Sequence, residues 1–127
     1  MRSLNRVMFI GRLAADVESK VTKAGKEVAN FPLATSRFHL ENNEKKEVVD
    51  YHRIVLWDGL ARISNDYLKK GQAVFVEGRL VNRNFEDSEG HKHFRTEVIA
   101  DSLNILSWGK NLKDEITGTE VLEVEEA

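Results

Sequence analysis

The feature that most restricts the fold is the alternation of side chains in residues 50–57, DYHRIVLW. Successive side chains of a β-strand point to opposite faces, so Tyr51, Arg53 and Trp57 share one face while Ile54 and Leu56 share the other. The second face is typical of a hydrophobic core. The first carries two rings about 20 Å apart, with a guanidinium between them. The segment therefore predicts a half-buried strand with an aromatic and basic outer face, although aromatic residues in strands more often serve packing.

Composition indicates one ordinary soluble domain with a single core. The chain has 127 residues, of which 41% are hydrophobic and 31% charged. It has no cysteine, which excludes disulfides and thiolate metal sites. Its apolar runs are shorter than the roughly 20 residues of a membrane span, and Arg12 interrupts the first of them, so neither a membrane segment nor a signal peptide is expected. We therefore expect a cytoplasmic protein.

The net charge of −2 is unevenly distributed. Residues 109–127 contain two basic and six acidic residues, which leaves residues 1–108 with 17 basic and 15 acidic groups. Hydrophobic spacing also fades after residue 108. The pattern predicts a mildly basic domain, residues 1–108, followed by a short, acidic, flexible tail, residues 109–127.

Further stretches also have strand-like patterns. Residues 5–13 are β-rich and contain Gly11, which permits a bend or bulge. Residues 18–22 and 27–38 flank a turn at Gly25 and predict a hairpin, in which the nitrogen of Pro32 should face an unpaired edge or a bulge. Residues 39–47 are polar and predict an exposed, mobile loop. Residues 73–85 and 94–106 predict two more strands, joined by a turn at 87–90.

A short amphipathic helix is predicted after residue 57. Its apolar side chains recur at i, i+3, i+7 and i+8, namely Leu60, Ile63, Tyr67 and Leu68. Asp58 is expected to cap its start, Lys69 and Lys70 suit its negative end, and Gly71 suits a left-handed residue just past it.

The order of the elements predicts an all-β OB-fold, a five-stranded, partly open Greek-key barrel with one short helix between strands 3 and 4. Surfaces of this fold around the second and third strands bind oligonucleotides or oligosaccharides. Other small barrels share this order of elements, so the order alone does not decide the fold.

Short residue motifs add to what the order of elements indicates. Segments NRV and IGRL near the start, VANF and LATS in the hairpin, YHRIVL, YLKKG, VEGRL and TEV follow one another over residues 4–108. In this order and at these spacings, the chain resembles the bacterial single-stranded DNA-binding protein family. The resemblance implies an OB-fold that assembles, usually as a homotetramer, and binds single-stranded DNA without sequence preference during replication, recombination and repair.

The resemblance places the base-stacking rings on Tyr51, Trp57 and Phe85. The aromatic position in the loop after the family's second strand falls on His39, and Phe38 is one place early. We retain Phe38 as the fourth stacking candidate. The cations expected to contact phosphates are Arg6, Arg12, Arg53, Arg79, Arg83 and Lys92.

Two residues are assigned to subunit contacts by the same resemblance. His52 falls at or near a subunit interface, and Phe75 falls at a position used between dimers. A core histidine with its hydrogen bonds satisfied explains His52 equally well, and a surface ring covered by its neighbours would explain Phe75.

The acidic end departs from the family. Family members usually carry a long glycine- and proline-rich linker and an acidic tip with a terminal phenylalanine that recruits replication and repair proteins, whereas this chain ends EVLEVEEA. A solubilising tail is a more frequent role for such a run than partner recruitment.

Two other functions remain as alternatives. His91 and His93, with Asp87 or Glu89, suggest a metal-dependent enzyme, but no third ligand has a fixed spacing and no nucleophile-and-base motif is present, so neither catalysis nor a cofactor is expected. The other alternative is an OB-fold replication-restart or assembly factor, in which protein contacts dominate and DNA binding is secondary.

Overall fold

Six strands and one helix make up residues 1–107, which are the residues described by the structure, a computed structural model. The elements are β1 (Val7–Leu13), β2 (Glu18–Val21), β3 (Glu27–Glu41), β4 (Glu44–Trp57), α1 (Asp58–Tyr67), β5 (Ala73–Glu86) and β6 (Lys92–Ile105). The predicted acidic tail and the domain boundary before it lie outside the described residues. Within residues 1–107, no helix is long and apolar enough to cross a bilayer.

Five of the strands close into a barrel. The sheet order is β1-β5-β6-β4-β3-β2, and β1 pairs with β3 as well as with β5, which closes all strands except β2 into a ring. The short strand β2 is the first arm of the predicted hairpin and pairs with β3 at the edge of the sheet. Neighbouring strands are antiparallel except β4 and β6, which run parallel. The predicted five-stranded barrel, with a helix between its third and fourth strands, is confirmed.

The core fills the barrel with apolar side chains from alternate strand positions. Its fully buried members include Phe31, Leu33, Ile54, Leu56, Val74 and Val76. Burial of each large side chain contributes about 1.5–3 kcal/mol, so this inner layer is the main stabilising feature. The period-two pattern therefore predicted correctly which face of β4 is the core face.

Helix α1 packs against β3 and β4 with a face that only partly matches the one predicted, since Leu60 and Leu68 contact the core as expected. Its buried residues are Ala61 and Ser64, followed by Leu68 just past the helix, whereas Ile63 and Tyr67 are exposed. The predicted Asp58 cap is also wrong: Trp57 is the N-cap, without a side-chain cap bond, and Asp58 has a φ of 54°. The small residues allow the helix to approach the barrel closely, a preference that apolar spacing alone does not reveal.

Two glycines allow strands to approach one another closely. A Cβ atom at Gly11 would lie 2.4 Å from the carbonyl oxygen of Ala34, at the point where β1 turns from β5 towards β3. A Cβ atom at Gly78 would lie 2.0 Å from the carbonyl oxygen of Ile99, next to a register shift between Glu77 and Gly78. Any side chain at either position would push the strands apart.

On the side of β3 that faces away from β4, pairing passes from β2 to β1 at Pro32. Residues before it pair with β2 as far as Asn30, and residues after it pair with β1 from Leu33 onward. The absence of a proline N–H therefore falls between two ladders and breaks neither of them.

The predicted loop over residues 39–47 is wrong, because the strands continue through it. β3 runs to Glu41 and β4 begins at Glu44, so only two residues form the turn. Asn42 and Asn43 have φ values of 52° and 63°, as a tight hairpin turn requires and as asparagine tolerates. The arm extends beyond the barrel, so it has no core face and its polar composition resembles that of a loop.

Candidate nucleic-acid interface

The outer face of β4 exposes both of its predicted stacking rings. Tyr51 is 67% exposed and Trp57 is 39% exposed, whereas Ile54 and Leu56, on the opposite face, are fully buried. Arg53 lies between the two rings on their side of the strand. Because the rings are not covered by the packed layer, their faces are accessible to a flat partner.

Trp57 opens into a groove of about 320 Å³ that also contains Arg53 and Arg83. Side chains from five strands line it, because β6 lies between β4 and β5 while β2 and β3 form the far wall. Lys20 and Asn30 contribute polar atoms from that wall. The groove thus combines one aromatic ring with three cations.

A buried carboxylate joins the two arginines of this groove. Glu97 on β6 is 1% exposed, and its two oxygens accept hydrogen bonds from different partners. Arg53 Nε donates to Oε2 at 2.6 Å, and Arg83 Nη1 donates to Oε1 at 3.3 Å. The sequence analysis did not identify Glu97. One sequence signal could have indicated it: Glu97 lies between Thr96 and Val98 in a predicted strand, and an acid that is buried in a strand needs a cationic partner.

A second cleft, of about 390 Å³, lies beside Tyr51. It is bounded by Asp16, Asn30, Pro32 and Arg53. Arg53 borders both clefts, so the two form one continuous strip along β4.

The hairpin arm of β5 and β6 carries the third predicted ring, Phe85. Phe85 stacks on His93 with centroids 5.2 Å apart, and the guanidinium carbon of Arg95 lies 5.1 Å from the centre of the same ring. Lys92 and Phe94 lie with Phe85 around a third cleft. Phe94 is 77% exposed and was missed, because its neighbours His93 and Arg95 gave no alternating apolar pattern.

Phe38 lies on the arm of β3 and β4 and shares a face with Tyr51. It pairs with Glu47, four residues from Tyr51 along β4, so the two side chains point the same way. His39 pairs with Lys46 and points to the opposite face. Lys45 Nζ lies 4.5 Å from the centre of the Phe38 ring. Between the two candidates for this position, register favours Phe38.

Three predicted cations are engaged elsewhere. Arg6 Nε donates to Glu77 at 2.9 Å, Arg12 Nη1 donates to the carbonyl of Gly71 at 3.2 Å, and Arg79 pairs with Asp101 at 3.5 Å. None of the three lines the clefts that contain Tyr51, Trp57 and Phe85. The structure therefore brings Arg53 and Arg83 together, places Lys92 on the arm, and separates the other three from them.

The two residues assigned to subunit contacts lie in different environments. His52 stacks on Phe9 at 4.2 Å, and its Nε2 lies 2.9 Å from Thr35 Oγ1, so one ring nitrogen and one ring face have partners within the chain. Phe75 is half-buried on β5, opposite the exposed Ile10 on β1.

The histidines considered as metal ligands are paired with an acid instead. Asp87 Oδ2 lies 2.8 Å from His93 Nε2 and 3.5 Å from His91 Nδ1. The bond from His93, together with backbone N–H groups of His91 and Glu89, lowers the pKa of Asp87 below its usual 3.8. In the described part of the chain, no group of three or more histidine, cysteine or carboxylate side chains is arranged to hold a metal ion.

Known proteins provide an independent comparison. A family profile described as "Single-strand binding protein family" matches residues 4–106. The protein of Chlorobaculum tepidum named single-stranded DNA-binding protein 1 is 43% identical over 107 residues, covering 83% of this chain and 66% of the relative. A protein of the same name from Xylella fastidiosa is 36% identical over 108 residues, covering 84% of this chain and 79% of the relative. The chain thus spans slightly less than two thirds of the first relative.

Solved structures match the barrel as well. A chain of the Plasmodium falciparum SSB complex with ssDNA superposes with a TM-score of 0.78 at 34% identity, covering 84% of this chain and 98% of that one. A deletion mutant of the single-stranded DNA binding protein from Thermus aquaticus gives a TM-score of 0.73 at 34% identity, covering 85% of this chain and 52% of that one. With the profile match and the two curated relatives, these likenesses establish that the chain belongs to the single-strand binding protein family.

Proposed function

We propose that this protein binds and protects single-stranded DNA, without preference for base sequence, during replication, recombination and repair. Rings that are open to solvent accept any base, because every base has a π face, and cations beside them meet the backbone phosphates. Stacking of each base contributes about 1–3 kcal/mol. Such a site needs no base-specific hydrogen bonds, no cofactor and no catalytic group.

One observation carries the proposal. The exposed rings of Tyr51 and Trp57 lie on the outer side of β4, and that of Phe85 lies on the outer side of β5. Strand β6 separates these two strands, and Arg53 and Arg83 lie together beside Trp57. If these rings were buried in a second hydrophobic layer, a base could not reach them. Phe38 extends the same face along the β3–β4 arm, and Lys92 adds a cation on the β5–β6 arm.

Assembly into a homotetramer is part of the proposal. Met8 and Ile10 expose apolar side chains on the outer face of β1, and Phe75 lies directly across from Ile10. A second copy of the chain that covers this face would remove apolar area from water. Several sites on one particle then act on one strand at high effective concentration, which raises affinity without new contacts.

A fluorescence titration tests the binding. The intrinsic emission of Trp57 is followed while poly(dT) or duplex DNA is added, and a Trp57→Phe variant identifies the part of the signal that comes from this ring. We expect quenching by the single strand only, weakening as salt rises. Equal affinity for duplex DNA would contradict the proposal. Metal analysis of the purified protein and a repeat of the titration in a chelator test the metal-dependent alternative, which predicts a bound metal and a loss of function in the chelator.

Native mass spectrometry, with and without a long oligonucleotide, tests the assembly. We expect a tetramer that binds DNA without a second protein. The proposal places this tetramer in the cytoplasm. A dimer that holds DNA tightly only after a second protein is added would favour the assembly-factor alternative. We include recruitment of replication or repair proteins through residues 109–127, which carry six acidic residues against two lysines.

A further inference from the structure

We propose that Glu97 is a positioning residue of the single-strand site: from within the sheet it orients Arg53 and Arg83 so that both guanidiniums present their remaining donors to one DNA backbone beside Trp57. This inference rests on the proposed function. It assigns a role to the one fully buried carboxylate in the described part of the chain.

The position of Glu97 in the sheet makes the contact possible. β6 has β5 on one side and β4 on the other, so a single side chain on β6 reaches both neighbours. Glu97 pairs with Val81 across β5, two residues from Arg83, and the adjacent Val98 pairs with Ile54 across β4, next to Arg53. The two arginines are 30 residues apart in sequence, and Glu97 joins them.

The hydrogen bonds leave donors available on both arginines. A guanidinium has five N–H donors. Glu97 takes the Nε donor of Arg53 and one Nη1 donor of Arg83, so the other donors of each group are not used by this carboxylate. The arginine side chains remain 38% and 58% exposed although Glu97 is 1% exposed. An arginine held in this way loses less conformational freedom when a phosphate arrives.

The charge balance supports the same role. One carboxylate against two guanidiniums leaves a surplus of one positive charge in this cluster, and Lys20 adds a second at the groove. In contrast, Arg6 with Glu77 and Arg79 with Asp101 are one-to-one pairs in which the charge is matched. A buried carboxylate is costly unless its oxygens are bonded, so Glu97 also requires both arginines to stay in place. Positioning and attraction of phosphate are therefore combined in one cluster.

Substitution of Glu97 by glutamine separates positioning from charge. Glu97→Gln keeps the size of the side chain but leaves one acceptor oxygen for two arginines, and it raises the net charge by one. Glu27→Gln raises the net charge equally and breaks the exposed Arg62–Glu27 pair, 3.3 Å long, which takes no part in the proposed site. The dissociation constant for a fluorescein-labelled dT oligonucleotide is measured by anisotropy at one salt concentration, with circular dichroism to check folding.

We expect Glu97→Gln to weaken binding about fivefold to tenfold, and Glu27→Gln to change it less than about twofold or to strengthen it. When Arg53 and Arg83 are both lysine, the effect of Glu97→Gln should fall below about twofold, because no planar guanidinium is left to orient. A loss that persists undiminished in this background would overturn the inference. So would a Glu97→Gln variant that binds as tightly as Glu27→Gln.

Glu97→Asp provides a second variant if glutamine prevents folding. Aspartate keeps the charge and withdraws the carboxylate by one methylene, so positioning predicts weaker binding and a simple charge effect predicts none. Absence of single-strand binding by the unmodified protein would instead refute the proposed function, so the two failures are distinguishable.

Discussion

Phe85 and His93 face each other across β5 and β6, with their rings 5.2 Å apart and inclined by 19°. Asp87, in the turn that joins the strands, holds His93 through a contact of 2.8 Å. The same carboxylate accepts N–H bonds from Glu89 and His91 at 2.9 Å each. One acid therefore organises both the turn and the ring that supports Phe85.

The stability of this arm should depend on acid pH through Asp87. Its pKa is lowered in the folded state, first by His93 and then by the backbone N–H of His91, so its stabilising contribution is complete above the unfolded pKa of about 3.9 and is lost as pH falls through the lower folded value. We expect Asp87→Asn to be less stable than the unmodified protein at neutral pH, with the difference shrinking below about pH 3.9. Urea unfolding over a pH series measures it.

Glu89→Gln is the matched control for this acid effect, because it removes a more exposed carboxylate from the same turn. The difference in stability between Glu89→Gln and the unmodified protein should change little between neutral pH and pH values below about 3.9. A difference for Asp87→Asn that stays constant down to pH 2 would contradict the prediction, as would an NMR titration midpoint of the Asp87 carboxyl above about 3.9.

Stacking and phosphate contacts should respond differently to mutation. We expect Trp57→Ala to reduce the binding free energy for poly(dT) by about 1–3 kcal/mol per site with little change in salt dependence, because it removes a ring. We expect Lys92→Ala to cost less at moderate salt but to lower the slope of log K against log salt by about 0.7 per lost contact. Titrations at four salt concentrations separate the two effects, and identical slopes for both variants would argue against a phosphate contact at Lys92.

The register of the β3–β4 arm predicts which side chain stacks at its outer position. Phe38→Ala should weaken single-strand binding by about 1–3 kcal/mol per site, since this ring shares a face with Tyr51. His39→Ala should change it by less than about 0.5 kcal/mol, because His39 points to the other face and contacts Glu41. Parallel titrations of the two variants decide the matter, and a larger loss for His39→Ala would reverse the assignment.

Gly78 should not tolerate even a methyl group. We expect Gly78→Ala to lower the free energy of unfolding by about 2–4 kcal/mol, because its Cβ would overlap the carbonyl oxygen of Ile99. Gly59→Ala is the control: its Cβ has no neighbour within 4 Å, and alanine in α1 should be neutral or stabilising by up to about 1 kcal/mol. Chemical denaturation compares them, and equal stability of the two variants would refute the steric argument.

Several features could be predicted because they depend on local periodicity. Alternation in residues 50–57 correctly separated the buried Ile54 and Leu56 from the exposed Tyr51 and Trp57. Gly25 and Gly90 were correctly expected in turns and have positive φ. The mistaken loop over residues 39–47 has the same origin, since an arm exposed on both faces lacks the apolar alternation that predicts strands.

The sequence by itself determined the core face of β4 and the rings that point away from it, because both follow from the alternation of apolar residues along one strand. Only the tertiary structure decided that Arg53 and Arg83 share Glu97 while Arg6, Arg12 and Arg79 lie elsewhere. The physical reason is that these side chains meet across different strands, and the order and register of strand pairing arise from closure of the whole barrel rather than from any local segment.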